Sequence, residues 1–577
     1  MSQGAKEGVV EGEFKAAGKR YALGIDFGTL SARAVLVDVA TGAVAASAEA
    51  PYRHGVIEGA LPEGLAPLPP GAARQDPEDY LVALRTCVRE ALREGGAAAG
   101  VRPRDVIGIG IDFTSCTLLP VDEEGRPLCW DPRWRAHPDA WACLWKDQTA
   151  QTEATAMTER ALQRGEPFLS WYGGKIPAES FLPKAWRIIK AAPELFRAAA
   201  CFLEAGDWIV WQLTGEAVGG VSAASFKALW DGAFPEAYLA SLDPRLSTLV
   251  REKVLGRYLP PGAPAGGLTA AAAAELGLLP GTPVAVANID AHAAVPGAGV
   301  AAPGTMVIVL GTSACHMCLG EERAPVPGIV GAVRDGILAG YIGFEAGQPA
   351  VGDALAWFAQ HFTPAAYERE AARQGLTVQG YLERLAHQFG PGETGLIALD
   401  WWNGNRSPLA DGDLTGVIVG LTLESRPEAV YRALMESAVF GTYEIVRAFT
   451  SGGVPVERLR ACGGVAARSP LMLQLLADVT GRAIEIAASD QASALGAAVF
   501  AAVAAGPARG GYAAAEDAVS RMAGAPSTVI APDPGRHQQY ARLYALYREL
   551  FSHFGRGEGR AGLHALKALR RARIKGV

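Results

Sequence analysis

The chain has 577 residues, which is too long for a single hydrophobic core and suits two large domains with shorter additions. Half of the residues are hydrophobic and a fifth are charged, as in globular proteins, and a net charge of −7 gives no reason to expect nucleic acid or an anionic membrane as a partner. No apolar run has transmembrane length, and residues 1–20 lack a signal-peptide core. Because the eight cysteines are scattered, we expect reduced thiols and a cytoplasmic location.

The first predicted element is a hairpin near the start of the chain. Residues 21–38 contain a predicted buried strand, a tight turn over 26–31 and a returning strand. In the turn, Gly28 lets the backbone approach an anion, and hydroxyls such as that of Thr29 donate to its oxygens. Asp26 is placed to hold magnesium, usually through water. For this copy alone, an ordinary glycine hairpin is the better explanation.

Polar residues follow two further predicted strands. Residues 106–113 form a buried strand that ends with Asp112 and is followed by Ser115, and residues 282–287 lead to Asp290. Open α/β sheets bind ligands at the carboxyl ends of such strands. An aspartate at position 290 accepts a proton, binds a metal or caps the next helix, and capping is the commonest of the three.

The hairpin pattern recurs in the second half of the chain. Residues 305–310 and 314–319 are predicted strands, and they flank the turn Gly311-Thr312-Ser313. Two copies, one in each half of a long chain, indicate a duplicated fold with a nucleotide between its halves.

The last part of the chain adds a glycine loop and a basic end. A predicted strand runs into Gly463 and Gly464, where bare backbone accommodates a purine ring or a phosphate, although a structural turn explains the pair almost as well. The basic tail after Gly555 is expected to be a solvated, frayed end.

Ten segments, taken in order, carry a resemblance to a known family. They are GIDFGTLSAR, IDFTSCTLLP, LSWYGGKIPAE, EAGDWIVWQLTG, FKALW, NIDAHAA, VLGTSACHM, YIGFEAGQPAVGD, LDWWNGNRSP and CGGVAARSPLMLQLLADVTG. On these segments the chain resembles the FGGY carbohydrate kinases from about Tyr21 to about Phe554. Within that family, WYGGKIPAE, DWIVWQLTG, NIDAHA and DWWNGNRSP are most similar to ribulokinases.

The resemblance implies an α/β fold of two ribonuclease-H-like (actin-like ATPase) domains, with the active site in the cleft between them. It implies an N-terminal tail, an N-terminal kinase domain, a C-terminal kinase domain, and C-terminal helices with a basic tail, over residues 1–20, 21–295, 296–505 and 506–577. ATP and Mg²⁺ are the implied cofactors.

Site residues are carried over where the sequence matches the family's motifs. The first phosphate loop, with the magnesium ligand Asp26, comprises Asp26, Gly28, Thr29, Ser31 and Arg33. The second phosphate loop comprises Gly311, Thr312 and Ser313. Gly463, Gly464 and Arg468 lie by the adenosine. Asn405 lies nearer the phosphates.

The resemblance also implies how the sugar is bound. Asp290 matches the general base, Asp112 and Ser115 line the pentulose pocket, and Lys227 and Glu345 reach the sugar hydroxyls from opposite sides. By itself, a lysine between apolar neighbours is usually a snorkelling side chain. Ser115 stands where a small residue, often alanine, is expected, which leaves pocket size and hydroxyl preference open there.

The implied reaction is ATP-dependent phosphorylation of a ketopentose, L-ribulose to L-ribulose 5-phosphate in L-arabinose catabolism. The expected partners are the sugar and ATP, without nucleic acid or membrane, and a homodimer is left open. Three alternatives remain: a kinase for another pentulose or a polyol, as in xylulokinases; a non-catalytic actin-like ATP switch; and a sugar-binding regulator that has lost activity.

Overall fold

The computed structural model describes residues 18–574, so nearly all of the tail predicted for residues 1–20 lies outside the described part. Its strands, in chain order, are β1 Tyr21–Phe27, β2 Ser31–Asp38, β3 Val44–Pro51, β4 Arg74–Gln75, β5 Val106–Phe113, β6 Leu118–Val121, β7 Ala142–Cys143, β8 Cys201–Glu204, β9 Gly219–Gly220, β10 Tyr258–Leu259, β11 Pro264–Gly267, β12 Pro283–Ala285, β13 Asn288–Ile289, β14 Gly304–Leu310, β15 Ala314–Gly320, β16 Gly331–Arg334, β17 Ile342–Gln348, β18 Ile397–Leu399, β19 Val417–Val419, β20 Val456–Cys462, β21 Ile484–Ile486 and β22 Thr528–Ile530.

The α-helices of the described residues alternate with these strands. In chain order they are α1 Pro77–Ala99, α2 Gln151–Arg164, α3 Phe181–Ala191, α4 Pro193–Ala198, α5 Ala205–Thr214, α6 Val221–Ala228, α7 Glu236–Leu242, α8 Pro244–Glu252, α9 Ala270–Leu276, α10 Asp290–Gly297, α11 Gly352–His361, α12 Ala365–Arg373, α13 Val378–Ala386, α14 Pro427–Ser451, α15 Gly464–Arg468, α16 Pro470–Thr480, α17 Ala492–Ala505, α18 Ala515–Met522, α19 Pro534–Gly555 and α20 Gly559–Ile574. No helix of the described part is long and apolar enough to cross a membrane.

Two large sheets organise the molecule, one in each lobe. The first has the order β11-β12-β5-β1-β2-β3, with β13 also paired to β5, and the second has the order β16-β17-β15-β14-β20-β21-β22. In the first sheet, β1 is antiparallel to β2 and parallel to β5, and in the second, β14 is antiparallel to β15 and parallel to β20. Beyond β5, the first sheet adds β12 in parallel and then β11 in antiparallel orientation. Beyond β20, the second sheet likewise adds β21 in parallel and then β22 in antiparallel orientation. Six strands of each sheet follow the same order, as expected of a duplicated fold, whereas β13 and β16 have no counterpart in the other sheet.

Helix α17 joins the two lobes. Although it lies between β21 and β22 of the second sheet in the chain, it packs on β1 and β5 of the first sheet and against α10. Glycines form the surface of the sheet under α17. A Cβ on Gly24, Gly108 or Gly110 would overlap carbonyl oxygens of α17, so a larger residue would not fit at these positions. The crossing of α10 and α17 is equally close, since side chains at Gly297 and Gly496 would each meet the opposite helix backbone. Small residues therefore bring the lobes together behind the cleft.

The C-terminal helices pack on the second lobe. Tyr540, Tyr544 and Tyr547 of α19 are buried, and Leu563 of α20 is 7% exposed. Arg560 and His564 of α20 both contact the carboxylate of Asp411, at 2.6 and 2.9 Å. The expectation of a frayed end is therefore wrong for α20, because an apolar contact and an acidic partner hold that helix, but most of its described side chains are exposed, as expected.

Candidate active site

The first hairpin turn lies at the cleft and is closed by its own backbone. The N–H of Gly28 donates to the carbonyl of Ser31 over 3.0 Å. The Thr29 hydroxyl accepts from the Trp145 indole at 3.2 Å. Ser31 and Arg33, by contrast, both bond to Glu49 on β3, at 2.6 and 2.8 Å. Glu49 thus already accepts hydrogen bonds from two side chains that the resemblance assigns to phosphate binding.

Two aspartates lie side by side on neighbouring strands of the first sheet, with Asp112 fully buried and Asp26 partly exposed. Asp26 at the end of β1 is in register with Asp112 at the end of β5. Asp112 is fully buried, and with both groups ionised neither of its oxygens has a donor among the described residues. Burial first, and then the charge of Asp26, raise the pKa of Asp112 well above its ordinary value. Such a pair shares a proton or a cation.

Asp112 is not among the residues that line the cleft cavity, contrary to the expectation for the pentulose pocket. The strand register explains this, because it places the side chain beside Asp26, where it completes a carboxylate pair.

Asp290 opens helix α10 directly after β13 and is partly exposed to the cavity. Its Oδ1 accepts from the N–H of Ala291 at 2.7 Å. Burial of the carboxyl, followed by the nearby charge of Asp26, raises the pKa of Asp290 to about 7. A carboxylate with that pKa accepts a proton at neutral pH far better than an ordinary aspartate does.

Lys227 and Glu345 contact each other across the lobes. The ammonium of Lys227, at the end of α6, donates to both oxygens of Glu345 on β17, at 3.0 and 2.7 Å. His292 Nε2 lies 3.1 Å from Glu345, and His292 Nδ1 lies 2.9 Å from the Ser222 hydroxyl. Burial opposes ionisation of Glu345, but the charge of Lys227 and the bond from His292 hold the pKa of Glu345 well below its ordinary value. In this structure the two side chains that are expected to approach a sugar from opposite sides form an ion pair at the cavity wall.

A cavity of about 210 Å³ lies between the lobes and collects side chains from both. Among its lining residues are Thr29, Ser115, Trp145, Tyr172, Lys175, Glu179, Lys227, Asp290, Thr312, Ser313, Cys315, Glu345 and Arg406. Sequence reasoning did not single out Glu179 or Arg406, although each lies in a quoted segment, WYGGKIPAE and LDWWNGNRSP. Arg406 stands directly after Asn405, so the segment that was used to assign Asn405 to the site also contained the residue that lines the cavity.

The second hairpin turn meets the start of helix α11. The N–H of Gly311 donates to the Ser313 carbonyl at 2.8 Å, and the N–H groups of Val351 and Asp353 donate to the Thr312 carbonyl at 2.8 and 3.1 Å. Thr312 and Ser313 line the cavity. The turn presents hydroxyls and backbone N–H groups without a carboxylate.

The glycine loop after β20 packs on the second hairpin. Gly463 has a φ of 93°, and a Cβ there would lie 2.6 Å from the carbonyl of Leu310. Close backbone packing alone therefore requires the first glycine. A Cβ on Gly464 would lie 2.9 Å from the guanidinium of Arg468, so these two residues lie together.

Asn405 is buried and folds its own loop. Its Oδ1 accepts from the N–H of Leu409 at 2.9 Å, and its backbone pairs with Asp411. It does not line the cavity, because this side chain stabilises the turn that presents Arg406.

Comparison with known families gives the same assignment for both lobes. Residues 21–297 match the N-terminal domain, and residues 306–505 the C-terminal domain, of the FGGY family of carbohydrate kinases. The chain belongs to that family. The predicted resemblance is confirmed.

Relatives of this FGGY kinase extend over nearly its whole length. A protein named Ribulokinase from Geobacillus thermodenitrificans is 49% identical over 94% of this chain and 96% of its own. A protein named Ribulokinase from Mycolicibacterium smegmatis is 44% identical over 93% of this chain and 94% of its own.

Solved structures share the fold of this FGGY kinase. A xylulose kinase from Rhodospirillum rubrum is 25% identical and superposes with a TM-score of 0.74, covering 93% of this chain and 99% of its own. A gluconate kinase from Lactobacillus acidophilus, 19% identical, superposes with a TM-score of 0.76 over 94% of this chain and 100% of its own. The predicted two-domain α/β fold is confirmed.

Proposed function

We propose that this FGGY kinase transfers the γ-phosphoryl group of ATP to the primary hydroxyl of an acyclic ketopentose, converting L-ribulose to L-ribulose 5-phosphate. The observation that carries the proposal is the carboxyl of Asp290, with a pKa of about 7, in a cavity flanked by both hairpin turns. Relatives named Ribulokinase, 44–49% identical over nearly the whole chain, support L-ribulose as the acceptor.

Asp290 is the proposed general base. A primary hydroxyl is a poor nucleophile, so a carboxylate that takes its proton as the phosphorus–oxygen bond forms lowers the barrier. Phosphoryl transfer otherwise depends on positioning and on charge stabilisation. The turns that carry Gly28 and Gly311 supply backbone N–H groups and hydroxyls for that purpose, and Gly463, Gly464 and Arg468 are the proposed contacts to adenosine.

Asp26 is the proposed ligand for Mg²⁺, with Asp112 beside it. Within residues 18–574, no group of three or more His, Cys, Asp or Glu side chains is arranged to hold a metal ion. Mg²⁺ does not need one, since it keeps waters and binds one or two carboxylates together with substrate phosphates. The unpaired oxygens of Asp112 fit such a cation. When bound, Mg²⁺ would be held by Asp26 and would offset part of the negative charge of the nucleotide phosphates.

Contacts between the lobes would exclude water from the reaction. Lys175 Nζ donates to the carbonyl of Ala410 at 2.7 Å. A closed cleft keeps water from replacing the sugar as acceptor. All eight cysteines are free thiols, which supports the proposed cytoplasmic location.

A coupled ADP-release assay with L-ribulose, D-ribulose, D-xylulose, L-xylulose and glycerol tests the proposal. We expect the highest kcat/KM with L-ribulose. A higher value with xylulose would favour the xylulokinase-like alternative, and no sugar-dependent ADP release would favour an ATP switch or a sugar-binding regulator.

A further inference from the structure

The turn between β5 and β6 forms part of the cavity wall and contains a residue with an unfavourable backbone conformation. Ser115 and Cys116 of this turn both line the cavity. Cys116 has a φ of 59°, in the left-handed region that residues with a Cβ rarely adopt. Because such a conformation persists only where the surrounding structure holds it, the contacts of this turn show what keeps it in place.

Lys184 of helix α3 contacts this turn from inside the first lobe and is fully buried. Its ammonium donates to the carbonyls of Cys116 and Leu144 at 2.6 and 2.7 Å, and to that of Cys143 at 3.4 Å. An ammonium has three donors, so these main-chain carbonyls use all of them. Trp145, which follows Leu144, also lines the cavity. One buried charge therefore ties together two segments of the cavity wall.

Glu204 at the end of β8 holds the other end of the same peptide group. Its Oε2 accepts from the N–H of Thr117 at 2.9 Å, whereas Lys184 binds the carbonyl of Cys116. The peptide group between Cys116 and Thr117 is thus bonded at both ends by charged side chains. Hydrogen bonds to charged groups are stronger than those between neutral groups, so the two together fix the orientation of this peptide plane and with it the backbone of Cys116.

Lys184 and Glu204 act on the wall without forming it. Within residues 18–574, neither is among the residues that line the cavity, and they are 0% and 8% exposed. Burial of two charged side chains is costly unless hydrogen bonds compensate it, and both spend those bonds on the backbone of one turn. Their place behind the wall therefore suits a positioning role and not contact with a ligand.

We propose that Lys184 and Glu204 are positioning residues for sugar binding, which act through the Cys116–Thr117 peptide group. They hold Cys116 in the left-handed conformation and so fix the part of the cavity wall that Ser115 forms. This inference rests on the proposed ketopentose kinase function. Without this clamp the turn relaxes to a negative φ at Cys116, and the wall no longer fits the sugar. The second phosphate turn and the glycine loop lie in the other lobe, so the nucleotide site is less affected.

The first test compares Lys184→Met with the matched control Lys190→Met. Lys190 lies on the same helix, is 43% exposed, and pairs with Glu153 at 2.7 Å outside the cavity. We expect Lys184→Met to raise the KM for L-ribulose by roughly tenfold or more and to change the KM for ATP less than about threefold. The control is expected to change either value less than about twofold.

Substitutions at position 116 separate positioning from folding. Cys116→Gly and Cys116→Ala both remove the thiol, but only glycine adopts a positive φ without steric cost. In the Lys184→Met background, we expect Cys116→Gly to lower the KM for L-ribulose again by roughly threefold or more, whereas Cys116→Ala leaves it raised. Loss of a merely structural lysine would not be compensated by glycine at this one position.

The other end of the clamp gives a second, independent test that keeps Lys184. Glu204→Gln retains an oxygen that accepts from the N–H of Thr117, whereas Glu204→Leu has a similar size and no acceptor. We expect the KM for L-ribulose to be at least about fivefold higher in Glu204→Leu than in Glu204→Gln, because only the first leaves that N–H unpaired. This pair, combined with Cys116→Gly and Cys116→Ala in the same way, decides the question if Lys184→Met does not fold.

The inference is overturned if wild-type enzyme phosphorylates L-ribulose while any of three results is found. These are equal sugar KM values for Lys184→Met and Lys190→Met, a KM for ATP that rises as strongly as that for the sugar, and equal effects of glycine and alanine at position 116 in the clamp variants. Failure of the wild type on every ketopentose would instead overturn the proposed function.

Discussion

The two lobes have the same sheet topology but carry different groups at equivalent strand ends. In the first lobe, Asp26 and Asp112 are the next-to-last residues of β1 and β5, and Asp290 follows β13. In the second lobe, the equivalent strands β14 and β20 lead to Gly311 and Gly463. Both lobes thus keep a turn that suits phosphate, whereas the equivalent strand ends carry carboxylates in only one of them. If the nucleotide phosphates bind at the second lobe as proposed, a strand end without a carboxylate avoids like-charge repulsion with them.

The largest expected effect comes from removing the base of the first lobe. Asp290→Asn should lower kcat by roughly 10²–10⁴-fold and leave ATP binding near normal, because only the proton acceptor is lost. Steady-state kinetics and ATP titration measure both quantities. Asp231→Asn, an exposed carboxylate outside the cavity, is the control. An Asp290→Asn enzyme that retains most of its kcat would show that the base lies elsewhere.

Glu345 is the one cavity-lining carboxylate that the second lobe contributes, and Lys227 of the first lobe neutralises it. Glu345→Gln should lower the free energy of unfolding by about 3–5 kcal/mol, because it leaves a buried ammonium without its counter-charge. The double variant Lys227→Met/Glu345→Gln should be more stable than the sum of the single effects predicts. Urea unfolding of the four proteins measures the coupling, and strictly additive losses would show that the pair is not coupled.

The single variants of this pair should also affect catalysis. We expect Lys227→Met and Glu345→Gln to lower kcat/KM for L-ribulose much more than they raise the KM for ATP, because the pair forms the cavity wall. If both keep wild-type sugar efficiency, their role is structural only.

The raised pKa of Asp290 has a consequence for stability with a definite sign. Its folded-state pKa of about 7 lies above the unfolded value near 3.9, so the folded state holds the proton more tightly, and the contribution of Asp290 to wild-type stability is lost as the pH rises from about 4 through 7. Asparagine does not titrate, so the free energy of unfolding of Asp290→Asn, relative to that of the wild type, should rise by about 1–4 kcal/mol between pH 4 and pH 8. Urea unfolding at both pH values, without Mg²⁺, measures this gain, and a difference that does not change with pH would contradict the shifted pKa.

The smallest effect is expected in the glycine loop of the second lobe. Gly463→Ala combines an unfavourable φ with a 2.6 Å approach to Leu310, whereas Gly453→Ala has a φ of 86° and open space around its Cβ. We expect the first to cost about 1–3 kcal/mol and to raise the KM for ATP, and the second to cost less and to leave the KM unchanged. Equal effects of both variants on the KM would remove the glycine loop from the nucleotide site.

The sequence by itself determined the elements whose signals are local. The two strand–turn–strand hairpins around Gly28 and Gly311, and the strand that leads to Asp290, were predicted because burial pattern and turn chemistry depend on neighbouring residues. The family resemblance then added the duplicated fold and the order of its segments.

Only the tertiary structure decided which of these side chains meet. Lys227 and Glu345 contact each other, Glu49 occupies Ser31 and Arg33, and Asn405 bonds to its own loop. Glu179 and Arg406 are brought to one cavity wall by the docking of two lobes, and α17 and α20 find partners far away in the sequence. Such contacts depend on long-range packing and on the desolvation of paired charges, neither of which leaves a periodic signal in the chain.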